Sequence, residues 1–194
     1  MDTTGPLHIR SASPAVRQGD ADSLPSLAGC DFSFQVAAEL VEPFDMDTTV
    51  PVEPPYQKRY PFHPGELAEY LERPDRQLWT AEVAGAAIGY LAVAHDWNRY
   101  AVVDDLAVDA AYRGAGAARL LMDAAVAWAK DASLAGVRLE TQSNNIAACR
   151  FYRRYGFRLG GYDRYLYRGL EPGTREVALF WYLPFEERAA AAPV

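Results

Sequence analysis

The chain has 194 residues, half of them hydrophobic and 23% charged, which fits one soluble globular domain with a real core. Its formal net charge of −7 argues against a nucleic-acid partner, because phosphate binding needs clustered Lys and Arg; it suits a cationic substrate, or simple solubility. Cys30 and Cys149 form no CxxC pair and His8, His63 and His95 no ligand-spaced cluster, so no metal site or disulfide framework is expected.

Residues 1–10 lack the apolar core of a secretory signal, and no apolar run approaches membrane-span length, which predicts a cytoplasmic protein with no membrane partner. In chain order, residues 7–10 read as a short strand and residues 20–27 as a short helix disturbed by Pro25. Phe32, Phe34 and Val36 alternate as a strand does. Residues 43–64 are rich in proline and acid and are expected to be an extended, partly ordered loop. Helical spacing resumes over 64–72 through Leu67, Tyr70 and Leu71. A hairpin follows, 77–83 and 87–94 about the turn Ala84-Gly85, and then a strand over 102–108. The amphipathic helix expected over 115–130 is built on Leu120, Leu121, Ala124, Ala125 and Trp128. A strand over 137–141, a helix over 145–155 stopped by Gly156, and strands over 157–167 and 176–183 complete the pattern, with an Ala-rich frayed tail from 186. This order predicts a single mixed α/β domain, strands first and crossover helices after.

Two segments carry chemistry. The first runs from the strand Asp104-Asp105-Leu106-Ala107-Val108 through Arg113-Gly114-Ala115-Gly116-Ala117-Ala118 into the long helix. The first amides of a helix have no intrahelical partner, and the helix dipole adds positive potential there. Small residues let a pyrophosphate approach those amides, and Arg113 can add charge at the rim. No Lys-Ser/Thr follows, so this is not a P-loop, and the third glycine of a dinucleotide fingerprint is missing. The second segment is Leu139-Glu140-Thr141-Gln142, a polar turn, Asn145 at a helix start, Phe151-Tyr152 within the helix and Gly156-Phe157 at its end. Asn145 either caps that helix or contacts a ligand. Cys149 reads as a buried thiol.

Together these segments resemble the GNAT N-acetyltransferase superfamily, with the specific likeness in residues 104–157. The resemblance implies a GNAT-like mostly antiparallel sheet flanked by helices, with a core over about 77–183 that residues 1–76 complete. It implies acetyl-CoA as cofactor, its pyrophosphate held by Arg113, Gly114, Ala115, Gly116, Ala117 and Ala118, and its pantetheine by Leu106, Ala107, Val108, Asn145 and Tyr152. Further segments are similar to streptothricin acetyltransferases: Ala38-Glu39-Leu40-Val41, Pro54-Pro55-Tyr56-Gln57-Lys58, Trp97-Asn98, Gly161-Tyr162-Asp163 and the run from Glu176 to Tyr182. That likeness implies acetylation of the β-lysine amine of streptothricin, which abolishes the antibiotic's action.

The spacing of Glu140 and Tyr152 resembles GNAT members with a glutamate base and a tyrosine acid. Asp105 is an ammonium anchor or alternative base; because adjacent strand residues face opposite sides, at most one of Asp104 and Asp105 is expected in the cleft. Glu39, Tyr56, Trp97, Asp104, Asp105, Glu140 and Asp163 are the candidate substrate contacts. Two alternatives stay open: a protein N-terminal acetyltransferase of the ribosomal-protein-alanine type, and a non-catalytic acetyl-CoA-binding module. Many proteins of this fold pair as dimers, so a homodimer also stays open.

Overall fold

The structure is a computed structural model that describes residues 13–186. The strand expected over 7–10 and the tail beyond 186 lie outside the described residues.

Seven strands form the main sheet. They are β1 (Ala15–Gln18), β4 (Arg76–Val83), β5 (Ala86–His95), β6 (Tyr100–Val108), β7 (Gly136–Gln142), β8 (Arg158–Asp163) and β9 (Ala178–Pro184), in the order β1-β4-β5-β6-β7-β9-β8. Among the described residues only β6 and β7 run parallel, joined by the crossover helix α3 (Ala117–Asp131). The expected mixed, mostly antiparallel architecture is therefore present. Helices α1 (Ser23–Ala28) and α2 (Pro64–Glu72) cover one face around Leu27, Leu67, Leu78, Tyr90 and Ala92. Helix α3 and helix α4 (Ile146–Tyr155) cover the other, where Leu91, Val93, Val103, Leu121, Met122, Leu139 and Trp181 pack.

Three readings change. Within residues 43–64, Thr49–Lys58 is a strand, β3, paired antiparallel with β2 (Phe34–Leu40) in a separate two-stranded sheet. Pro51, Pro54 and Pro55 fit there because extended backbone suits the fixed proline φ and a two-stranded ribbon has free edges. The last-but-one strand ends at Asp163 rather than at 167, and a 3-10 turn over Leu166–Gly169 follows. The Asp163 carboxylate accepts from the amides of Tyr165 at 2.6 Å and Leu166 at 3.2 Å, which pulls the chain out of the ladder. Leu120 is 40% exposed, so the buried stripe of α3 runs through Ala117, Leu121, Met122, Ala125 and Ala129. Strand β1 has too little alternation to be read from sequence and is fixed by pairing with β4.

The small sheet is tied to the main one. The Leu40 amide donates to the Ser143 carbonyl at 2.9 Å, just beyond β7. Lys58 pairs with Glu176, and Asn144 Nδ2 donates to both Glu176 and the Tyr56 hydroxyl.

Candidate active site

β6 and β7 pair only from Tyr100/Gly136 to Val103/Leu139. Beyond that point β6 runs on to Val108 and β7 to Gln142 with no bond between them. The sheet opens there into a cleft of about 730 Å3, closed at its sides by α3, α4 and the aromatic residues Phe32, Phe34, Tyr60 and Phe62. Leu106, Ala107 and Val108 therefore line an unpaired strand edge, which presents backbone donors and acceptors to an extended polar chain.

At one end stands the amide cradle. Gly114 (φ +80) and Gly116 (φ +93) adopt backbone conformations that other residues resist, and a Cβ at either would meet no protein atom within 4 Å. Gly116 caps α3, and among the described residues no acceptor binds the amides of Gly116, Ala117 or Ala118. Free amides, an open approach and a 15-residue helix fit a diphosphate. Arg119, in the first turn of α3, and Arg154, in the last turn of α4, also line the cleft and add positive charge. Arg113 lines the cleft beside the cradle, where the sequence places it, and is also held from behind. Its guanidinium donates to the carbonyls of Val108 at 3.0 Å and Ser33 at 2.8 Å, so it braces the loop. Ala115 is absent from the cleft lining, its amide turned back to Tyr112 at 3.4 Å.

At the other end three carboxylates gather, Asp104, Asp105 and Glu140. The expectation that only one of the aspartates faces the cleft is overturned. β5 and β6 shift register, Ala92 pairing with Asp105 and Val93 with Val103, so Asp104 is an extra residue in β6. This bulge cancels the alternation: Val103 packs in the α3 core while both aspartates turn to the α1/α2 face. There the Tyr70 hydroxyl of α2 donates to Asp104 at 2.6 Å, and the Tyr90 hydroxyl of β5 donates to Asp105. Glu140 accepts from Tyr167.

Burial raises all three acids from their ordinary values. Tyrosine hydrogen bonds oppose the shift in each, and Asp104 adds to it at Asp105, as Glu176 does at Glu140. Tyr152, 7% exposed, projects from α4 into the cleft, and burial together with the charges of Asp105 and Glu140 raises its hydroxyl. Asn145 lines the cleft and also caps α4, its side chain accepting from Ala148 N at 3.2 Å. Cys149 is fully buried, its thiol pushed up to about 12 by burial, which makes it an inert core residue.

Other sequence candidates lie outside the cleft lining. Trp97 is 91% exposed in the β5–β6 turn. Asp163 organises the turn after β8. Glu39 faces Arg175 at 3.4 Å, and Tyr56 accepts from Asn144 in the latch between the two sheets. Sequence reasoning passed over Tyr60, Tyr70, Tyr90 and Tyr167. None of the four was assigned a role in the site, and only tertiary pairing shows three of their hydroxyls on carboxylates and that of Tyr60 on Gln142 at 2.7 Å. Among the described residues no group of His, Cys, Asp and Glu has the placement to hold a metal ion, and no helix is long and apolar enough to cross a membrane.

The Acetyltransferase (GNAT) family profile matches residues 40–157. Streptothricin acetyltransferase A of Bacillus subtilis (strain 168) is 35% identical over 131 residues, covering 68% of this chain and 75% of that protein. Streptothricin acetyltransferase of Streptomyces lavendulae is 30% identical over 183 residues, 88% of this chain and 93% of that protein. A crystal structure from Bacillus anthracis str. Ames, proposed to be a streptothricin acetyltransferase and solved with acetyl coenzyme A, superposes with a TM-score of 0.80 at 35% identity, covering 89% of this chain and all of that one.

Proposed function

The chain belongs to the GNAT acetyltransferase family and is an acetyl-CoA-dependent N-acetyltransferase, and from that premise we propose that it acetylates an amine of a small polycationic molecule, the β-lysine arm of streptothricin. The observation that carries this reading is the charge division of the cleft. Asp104, Asp105 and Glu140 lie on the strands, and the free amides with Arg119 at the start of α3. An ammonium-bearing molecule is drawn to the first and an anionic diphosphate to the second. The relatives named as streptothricin acetyltransferases support the choice of amine.

Acetyl-CoA supplies the acetyl group as a thioester. The amides of Gly116, Ala117 and Ala118 hold its diphosphate, and the free edge of Leu106, Ala107 and Val108 orients its arm toward the carboxylates. Asp105 and Asp104 anchor the incoming ammonium. Glu140, made more basic by burial, takes the proton the amine must lose before it attacks. Tyr152, kept protonated by burial, donates to the sulfur as it departs. No covalent enzyme adduct is required.

The test is CoA thiol release with streptothricin as acceptor, alongside a panel of peptide N-termini. Turnover with the drug, strongly lowered but still measurable in Glu140→Gln and Tyr152→Phe, is expected. Faster turnover with a peptide overturns the substrate assignment, and drug turnover unchanged in both variants overturns the residue roles.

A further inference from the structure

The 3-10 turn after β8 places three large side chains in a row. Tyr165 is 72% exposed and Leu166 46% exposed, whereas Tyr167 points inward. Its backbone is held, because its carbonyl accepts from the amides of Leu170 at 3.0 Å and Glu171 at 2.9 Å. Its hydroxyl donates to Glu140. Two residues along the same face of β7, Gln142 accepts from the Tyr60 hydroxyl, which comes from the segment after β3. The end of β7 is thus pinned from two chain segments that belong to neither of the motifs holding Glu140 and the amide cradle. Tyr167 itself does not line the cleft.

We propose that Tyr167 is a positioning residue for the transfer reaction, fixing the carboxylate of Glu140 in the orientation that receives the substrate's proton. The inference rests on Glu140 as the base. A glutamate at a strand end has free rotation about its side-chain bonds, and one fixed donor on one oxygen leaves the other oxygen directed into the cleft. The groups facing Glu140 are Lys58 from β3, Glu176 from the segment before β9, Tyr60 from the segment after β3, Gln142 on its own strand, Tyr152 from α4 and the aspartates of β6. Among them Tyr167 is the hydroxyl that bonds it, and that bond favours the ionised form.

The sign of the effect follows. Without the hydroxyl, Glu140 binds its proton more tightly, so the acid limb of kcat/KM moves to higher pH. The measurement is the pH profile of kcat/KM with streptothricin for wild type, Tyr167→Phe, Glu140→Gln and the double variant. The substrate amine titrates equally in all four, so only differences between them report on the enzyme. Tyr167→Phe is expected to move the acid limb up by about 0.5–1 unit and to lower kcat about tenfold, with CoA affinity by calorimetry unchanged. In the Glu140→Gln background the same change is expected to do nothing further. An equal loss from Tyr167→Phe in both backgrounds, or a lowered kcat with an unmoved limb, overturns the proposal by making Tyr167 a packing residue. A Glu140→Gln enzyme with the wild-type profile overturns the base assignment instead, a distinct result read from the single variant alone.

Discussion

Arg113 and Ser33 stand 80 positions apart in the chain and are joined by a 2.8 Å hydrogen bond from guanidinium to carbonyl. The same side chain reaches Val108 at 3.0 Å, so one arginine ties the glycine-bearing loop to the end of β6 and to the entry of β2. These two bonds give it a geometric contribution. Removing two charge-assisted bonds, partly exposed, is expected to cost about 1–2 kcal/mol and lower Tm by about 2–6 °C. CoA affinity is expected to fall with it as the amides lose their fixed array. Arg113→Lys keeps the charge but lacks the fork that spans two carbonyls, so it is expected to behave like Arg113→Ala. Thermal melts and calorimetry with CoA check both; a lysine variant binding CoA as tightly as wild type would return the residue to the role of a rim charge.

Gly116 gives a second test of the cradle. An alanine there pays the left-handed backbone cost of about 1–2 kcal/mol at φ +93, yet meets no protein atom within 4 Å. On the proposed binding mode the added methyl projects into the space the diphosphate approaches, so CoA affinity is expected to fall by more than the stability loss accounts for, at least tenfold. Gly65 in α2 is the control. It too meets nothing within 4 Å but carries no positive φ, so Gly65→Ala is expected to leave CoA binding alone and hold or slightly raise Tm. Equal CoA affinity in wild type and Gly116→Ala would remove the cradle from the binding site.

The geometry of the proposed cofactor half was legible because its chemistry is local. The glycines, the small residues after them and the following apolar helix all lie within residues 104–131, and Asn145 sits where a cap belongs. The acid half was only partly legible. Glu140 and Tyr152 stood out by spacing, but the joint presence of Asp104 and Asp105 depends on a bulge against β5, and a register shift leaves no mark in one strand's own sequence. The tyrosines that hold the acids come from α2, β5 and the turn after β8. Prolines misled the reading of β3, because they exclude a central strand or a helix interior but not one strand of a two-stranded ribbon.

Asp105 is predicted to cost stability at the position where the proposed reaction uses it. Burial and the neighbouring Asp104 raise its folded-state pKa. A raised carboxylate binds more protons in the folded chain than in the unfolded one. Its stabilising contribution is therefore present below the unfolded value, near 3.8, and is lost as pH rises through the folded value. Asp105→Asn removes that penalty and keeps an oxygen for the Tyr90 hydroxyl. At about pH 7 the variant is expected to melt about 1–3 °C above wild type, with the gap closing toward about pH 4. Its KM for streptothricin is expected to rise about tenfold while that for acetyl-CoA stays level. A variant less stable than wild type at neutral pH would show that Asp105 is a satisfied structural group.

The Lys58–Glu176 pair makes the complementary case, a charge whose removal destabilises. The two side chains are 18% and 15% exposed, and Glu176 also accepts from Asn144 Nδ2 at 2.8 Å. Lys58→Met leaves the carboxylate with one neutral donor in a mostly dry setting, at a cost of about 2–4 kcal/mol. Because the pair fastens β3 beside the turn that follows β7, Glu140 feels the loss too: Lys58 lowers its pKa, so the acid limb of activity is expected to move to higher pH. Adding Glu176→Gln removes the stranded charge and keeps an acceptor for Asn144, so the double variant is expected to recover much of the lost stability. Urea unfolding of the two single variants and the double variant decides it. A double variant no more stable than Lys58→Met would mean that the lysine's hydrocarbon packing, and not the buried charge, holds the two sheets together.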